Sequence, residues 1–376
     1  RGENDMDRQM LGRLAPLGLL AAALLAPTNV HAGLGEALER MREGVQTTTG
    51  RLQGGFATTR ERLAEGITVT AEQLNAGLSA AGEQLGTALQ ISAGRLRRQY
   101  LMPTEGTESF EFQLRHQGLE RNVRVIRPLA DASTPAPVIV LLHFSNGTNE
   151  LMANLVRAGR LAADSGVWVI MPDARNGKWN DDPESLGLID DVGFLDAVIA
   201  QIKSDYPVDP HRIYMAGMSN GGFMAERYAC ERPQTIAAFA SVAASMRRSL
   251  DRACSPASTV PAMFVLGTSD LIVPYNAEYG LLSAERTFGR WVGINRCGAA
   301  VTHSELPDLV DDDTRIALDE AGDCVGGSNV RLYSVEGAGH AWPGGEPFIP
   351  FPALGRTSQD LDLSTELWTY FRNFSR

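Results

Sequence analysis

The sequence predicts an α/β domain on a mainly parallel central sheet, preceded by an amphipathic helical segment of 11-residue repeats, and three observations carry that prediction. From about Pro103 onward, short β-rich apolar runs alternate with stretches of helical period, the rhythm of strands joined by crossover helices. The run Gly217-Met218-Ser219-Asn220-Gly221 stands directly between one such strand and one such helix. Upstream, residues 36–101 divide without gaps into six blocks of eleven, with Met41, Leu52, Leu63, Leu74, Leu85 and Leu96 at the sixth position and Val45, Phe56, Ile67, Leu78, Leu89 and Tyr100 at the tenth.

Taken in order, residues 1–32 read as a signal peptide with a short upstream extension. Arg8 and Arg13 precede an apolar run from Leu14 to Ala26, and small residues close on Val30-His31-Ala32. The apolar run is too short for a membrane anchor and ends at Pro27, with no Cys nearby to carry a lipid. The expected destination is secreted or periplasmic.

Residues 33–101 hold the repeats. Eleven residues in three turns is about 3.67 per turn, so both apolar positions stay on one face of a nearly straight helix. Gly44, Gly55, Gly66 and Gly77 recur at the ninth position, each costing about 1 kcal/mol relative to Ala inside a helix. Three roles stay open: an amphipathic coat for a lipid or polymer interface, a self-associating coiled coil, or a loosely ordered spacer.

Residues 102–376 form the expected catalytic domain. Strands are expected at Glu111 to Leu114, Asn122 to Arg127, Pro137 to Leu142, Trp168 to Pro172, Arg212 to Ala216, Ala262 to Leu266 and Val330 to Val335. Helical patterns cover Glu150 to Ala163, Val192 to Ser204, Gly221 to Glu231 and Glu278 to Gly293. Thirty-four Lys+Arg against 45 Asp+Glu give a net charge of −11, the wrong sign for binding nucleic acid or anionic lipid. No apolar stretch in the mature chain is long enough to span a bilayer. Cys230, Cys254, Cys297 and Cys324 allow three pairings; in an exported protein, Cys230 with Cys254 and Cys297 with Cys324 is favoured because these bridges close short loops without threading the sheet.

Glycines two residues either side of Ser219 let the chain turn sharply from strand to helix and leave the hydroxyl at the helix N-terminus, a nucleophile elbow. Such a serine needs an acid and then a base further along the chain. Asp270 follows the strand Ala262 to Leu266, and His340 follows Val330 to Val335 within Gly337-Ala338-Gly339-His340. His116, His211 and His303 are expected to be structural. Asp190 and Asp191 are expected to cap a helix and brace loops. The run Asp311-Asp312-Asp313 reads as a solvated loop rather than a calcium site, and neither metal nor organic cofactor is required.

These features together resemble the polyhydroxybutyrate depolymerase-type esterases, a family that includes feruloyl and acetylxylan esterase-like members. The resemblance rests on Gly217 to Gly222, Asp190-Asp191-Val192-Gly193-Phe194, Trp179-Asn180-Asp181 and Gly339-His340-Ala341-Trp342-Pro343-Gly344-Gly345, and runs from about residue 107 to the C-terminus. It implies an α/β-hydrolase fold and a triad of Ser219, Asp270 and His340. It departs at His143-Phe144-Ser145-Asn146-Gly147, where the family usually has His-Gly. The oxyanion hole then draws on the backbone N–H of Asn220 and that of Phe144 or Ser145, and Phe144 has a second possible role in narrowing the acyl pocket. Trp179 and Trp342 are candidate substrate contacts, with loop packing as the alternative. The expected function is polyester hydrolysis with residues 33–101 aiding contact with an insoluble polymer. The alternatives are a feruloyl or acetylxylan-type carboxylesterase and, from another class, a non-catalytic surface-coating protein.

Overall fold

The computed structural model describes residues 104–129, 135–185, 189–276, 280–346 and 354–376. The signal peptide and the 11-residue repeats lie outside the described residues.

The described chain is a ten-stranded sheet flanked by helices on both faces. Strands β1 (Thr107–His116) and β2 (Leu119–Pro128) form a hairpin and are followed by β3 (Ala136–Leu142). Helices α1 (Asn149–Leu155) and α2 (Ala158–Ser165) lead to β4 (Trp168–Pro172). Next come α3 (Asp191–Asp205), β5 (Val208–Met218), α4 (Asn220–Glu231), β6 (Ala238–Val242), α5 (Arg248–Ala253) and β7 (Ala262–Gly267). The chain closes with α6 (Ala284–Ile294), β8 (Val301–Glu305), β9 (Arg315–Ala321), β10 (Val330–Glu336) and α7 (Leu363–Phe371). Strand order is β1-β2-β4-β3-β5-β6-β7-β10-β9-β8. The strands from β4 to β10 in that order are parallel, while the two at each edge are antiparallel additions.

The central strands read as unbroken apolar runs because both faces are covered. In β3, Val138, Val140 and Leu142 pack with α3, α4 and α6, whereas Ile139 and Leu141 pack with α1, α2 and α7. Each side chain is at most 1% exposed. The sheet is thus a rigid partition, and its parallel strands all deliver their carboxyl ends to one edge, where ligands bind in open α/β folds.

The expected strands are all present, and three further ones were not legible. The Ala-rich segment of β6 carries no β signal of its own, and β8 is exposed along its whole length. The single helix expected over Glu150 to Ala163 is two. Arg157 takes a left-handed conformation (φ 52°, ψ 48°), and the carbonyls of Leu155 and Val156 accept hydrogen bonds from Glu346 N–H (2.9 Å) and Ser364 Oγ (2.7 Å). Those distant donors replace the helical ones, so the helix breaks there. Helix α6 begins only at Ala284 because Ser283 caps it, its hydroxyl accepting Arg286 N–H at 3.2 Å.

Disulfides join Cys230 to Cys254 and Cys297 to Cys324, the pairing favoured from the sequence. Helix α4 runs against the strand direction, so Cys230 near its C-terminus lies toward the amino ends of the parallel strands; Cys324 lies in the turn entering β10. Among the described residues, no helix is long and apolar enough to cross a membrane.

Candidate active site

Ser219 lies at the junction of β5 and α4 with φ 54° and ψ −122°, a backbone state that costs a non-glycine residue of order 1–3 kcal/mol. Close packing holds it there. A Cβ on Gly217 would lie 2.2 Å from Gly221 O, and one on Gly221 would lie 2.3 Å from Leu142 O. The elbow therefore presses its backbone onto the end of β3, which only glycine permits. Ser219 N–H donates to Val242 O at 2.8 Å, fixing the turn to the neighbouring β6.

The expected acid and base arrive from the next two strands. Asp270 follows β7, and His340 sits on the loop after β10, which pairs in parallel with β7. A Cβ on Gly267 would lie 2.4 Å from the carbonyls of Ala338 and Gly339, so these two loops lie in direct backbone contact. His340 Nδ1 meets Asp270 Oδ2 at 2.7 Å, with the two residues 5% and 4% exposed. Asp270 Oδ1 accepts the N–H groups of Ile272 (2.8 Å) and Val273 (2.9 Å). With Oδ1 held by these two N–H groups, Asp270 offers Oδ2 to His340 Nδ1, and the tautomer with its proton on Nδ1 leaves Nε2 as an acceptor. Main-chain bonds from Gly339 N–H to Arg356 O (3.0 Å) and His340 N–H to Leu354 O (2.6 Å) hold the histidine loop from behind.

The segment after β3 is held with equal care. His143 is buried, its Nδ1–H donates to Phe144 O at 2.8 Å, and its Nε2 accepts Ala174 N–H at 3.0 Å. Only the neutral ring satisfies both partners, and burial holds its pKa down to about 4. Phe144 O also accepts Gly147 N–H at 2.9 Å. Two donors therefore fix the peptide plane between Phe144 and Ser145, and in a trans peptide the Ser145 N–H points opposite that carbonyl. The Phe144 ring packs partly on the α1, α2 and α7 side of the core, while Ser145 is exposed.

Trp179 and Trp342 correct the sequence-based expectation of substrate contact. Each is 1% exposed, and each indole N–H is used internally: Trp179 Nε1 donates to His143 O (3.0 Å) and Trp342 Nε1 to Ser364 Oγ (3.2 Å). Both are packing residues. Trp179 is also a fastener, because the Asn220 side chain accepts Trp179 N–H with Oδ1 (2.7 Å) and donates to Trp179 O with Nδ2 (3.1 Å). One buried tryptophan thereby joins the residue after Ser219 to the segment carrying Ser145. Its own loop is braced by Asp191, which pairs with Arg121 and accepts Asn180 N–H at 2.6 Å, and by the Asp181–Arg247 ion pair at 2.7 Å. Asp190 caps α3, accepting Gly193 N–H at 2.8 Å, and meets His116 Nε2 at 3.1 Å. The structural reading of these acids holds.

Two features escaped sequence reasoning. The amide of Asn220 was considered only for its main-chain N–H; its place beside Ser219 in the elbow motif was the available signal. Glu226, on the buried face of α4, is 0% exposed, and burial raises its pKa to about 8. It accepts Trp291 Nε1–H at 2.7 Å. No local pattern distinguishes it from a surface glutamate.

This sheet order, with a strained serine at the end of a central strand and a carboxylate and imidazole from later strands, is that of the α/β-hydrolase fold. The acetyl xylan esterase from Aspergillus awamori shares the fold, with a TM-score of 0.51 and 14% identity over 70% of this chain and 99% of that one. Relatives in sequence are esterases. Feruloyl esterase B of Piromyces equi is 28% identical over 221 residues, covering 55% of this chain and 40% of that protein. Esterase NocK of Nocardia uniformis subsp. tsuyamanensis is 26% identical over 263 residues, covering 63% of this chain and 76% of that one. The chain thus spans less than half the length of the feruloyl esterase it resembles. No protein-family model matches it.

Proposed function

We propose that this chain is an exported carboxylic ester hydrolase acting through an acyl-enzyme. Ser219 Oγ attacks the ester carbonyl while His340 Nε2 takes its proton, and Asp270 steadies the imidazolium. The N–H groups of Asn220 and Ser145 receive the oxyanion; Ser145 is preferred to Phe144 because its peptide plane is fixed on both sides of the shared carbonyl. The imidazolium then protonates the departing alkoxide, and a water activated by the same histidine releases the acid. The observation that carries this reading is the buried His340–Asp270 pair, its carboxylate held by two further N–H donors, at the same carboxyl edge of the sheet as an elbow serine. Two disulfides support an oxidising compartment.

The finer reading is a polyester such as polyhydroxybutyrate as substrate. Its competitor is a feruloyl or acetylxylan ester, favoured by what the relatives are named for. The test is hydroxyacid release from amorphous polyhydroxybutyrate, beside methyl ferulate and p-nitrophenyl butyrate, with Ser219→Ala as control. Serine-dependent release from the polymer supports the finer reading; turnover of the ferulate without the polymer replaces it. If Ser219→Ala keeps the wild-type rate on the chromogenic ester, the mechanism itself fails.

A second expectation follows from the Trp179 fastener. Asn220→Ala removes both of its bonds to Trp179, and Trp179→Phe removes the one to His143 while keeping most of the ring. Each variant is expected to lower kcat by about 10- to 100-fold with KM changed less than about threefold, since misplaced oxyanion donors weaken the transition state more than the bound ester. A rise in KM at unchanged kcat would assign the contact to substrate binding instead.

A further inference from the structure

Two exposed turns flank the His340 loop, and they are built alike. After β7, Asp270 Oδ1 accepts the N–H groups of Ile272 and Val273, leaving Leu271 74% and Ile272 51% exposed. In the connection between β8 and β9, Asp360 Oδ1 accepts the N–H groups of Leu309 (2.7 Å) and Val310 (2.9 Å), leaving those side chains 71% and 40% exposed. Both carboxylates are themselves buried. Each turn thus displays an adjacent pair of large aliphatic side chains on a backbone fixed by a buried acid.

The topology puts both turns at the same edge. Leu271 follows the carboxyl end of β7, which is parallel to β10. Strand β9 runs antiparallel to β10 with Arg315 opposite Glu336, so the connection before it also lies at the carboxyl end of β10. That connection is fastened to the histidine loop: Asp313 pairs with Arg356 at 2.9 Å, and Arg356 O accepts Gly339 N–H. The other exposed large apolar side chains among the described residues, Leu129, Val301 and Val325, stand singly toward the opposite edge.

Single exposed apolar residues are ordinary, but paired ones on stiff turns beside a reactive imidazole forgo burial that a partner would restore. A turn already fixed loses little freedom on contact. We propose that these two turns are the surface by which the enzyme settles on a solid, uncharged, ester-bearing aliphatic phase, the polyester itself. The inference rests on the polyester reading above. The contact chemistry favours that partner: the same connection carries Asp308, Asp311, Asp312 and Asp313, and although Arg315 and Arg356 pair the first and the last, Asp311 and Asp312 leave the turn net acidic, which disfavours an anionic bilayer and leaves a neutral apolar phase unopposed. The position does too, since both turns lie at the carboxyl edge of the parallel strands, the edge where Ser219 ends β5.

The test uses the full chain carrying Leu271→Ser, Leu309→Ser and Val310→Ser together, with thermal melting to confirm folding. Adsorption to amorphous polyhydroxybutyrate particles is measured by depletion from the supernatant in a Ser219→Ala background, so that binding is read without turnover. Hydroxyacid release and p-nitrophenyl butyrate hydrolysis are measured with Ser219 intact. The triple change is expected to weaken adsorption about tenfold or more, and to lower release from particles at least about tenfold beyond any loss on the soluble ester. Unchanged adsorption overturns the surface, as does an adsorption loss seen on phosphatidylcholine vesicles but not on the polymer. If adsorption depends on the turns while no hydroxyacid is released by the parent chain, the surface stands and the polyester reading of the site falls.

Discussion

Replacing Asp270 by Asn is expected to lower kcat on a soluble ester by about four orders of magnitude while leaving KM within a few-fold. The size follows from which oxygen does what. Oδ1 accepts two main-chain N–H groups, so an amide at this position keeps its carbonyl oxygen there and turns its NH₂ toward His340. Nδ1 must then accept a hydrogen bond instead of donating one, which places the ring proton on Nε2, the nitrogen proposed to serve Ser219. The base is present and correctly located but already occupied. Steady-state kinetics at pH 7–8 check this; a loss below about tenfold would mean that His340 does not act as the base for Ser219.

The second large effect concerns stability. Glu226 has an ordinary carboxyl pKa of 4.5, raised by burial to about 8, and so is protonated in the folded chain at neutral pH. Its Oε1 is met by Trp291, whereas Oε2 has no partner that would reward a negative charge. Because the folded state holds this proton more tightly than the unfolded state, its contribution is complete below about pH 4.5 and is lost as pH rises to about 8. At about 1.4 kcal/mol per pH unit the loss has an upper bound near 5 kcal/mol. Glu226→Gln keeps the shape of the protonated acid and cannot ionise. Urea unfolding at pH 5 should find the variant and the parent similar, and at pH 8.5 the variant should be more stable by a few kcal/mol. Equal stability at both pH values would mean that the carboxylate reaches water or a counter-charge.

Much of the site was legible because the chemistry fixes local sequence. A serine that must leave a strand and enter a helix within one residue needs glycines where Gly217 and Gly221 stand, and the collisions a side chain would cause there are the reason. Asp270 and His340 could be placed at the same sheet edge as Ser219 by strand order. The buried tryptophans stayed open between substrate contact and loop packing because a motif loop near the site looks the same in sequence whether its aromatic ring faces substrate or core. For Trp179 the difference is made by Asn220 and His143, which lie 41 and 36 positions away. The same limit hid the break at Arg157, caused by donors from Glu346 and Ser364, and the strand β6, whose residues become a strand only because β5 and β7 leave room for one.

The two disulfides lie toward the edge of the sheet where the parallel strands begin, and the reacting groups lie where those strands finish. Covalent reinforcement and the proposed chemistry are therefore housed at opposite edges of the sheet. A reductant is expected to unfasten the edge where the strands begin while leaving the elbow, the imidazole and the fixed peptide plane in place. What such a molecule is expected to surrender when its cysteines are reduced is endurance, the time it survives heat and proteolysis, rather than the proposed activity of each surviving copy.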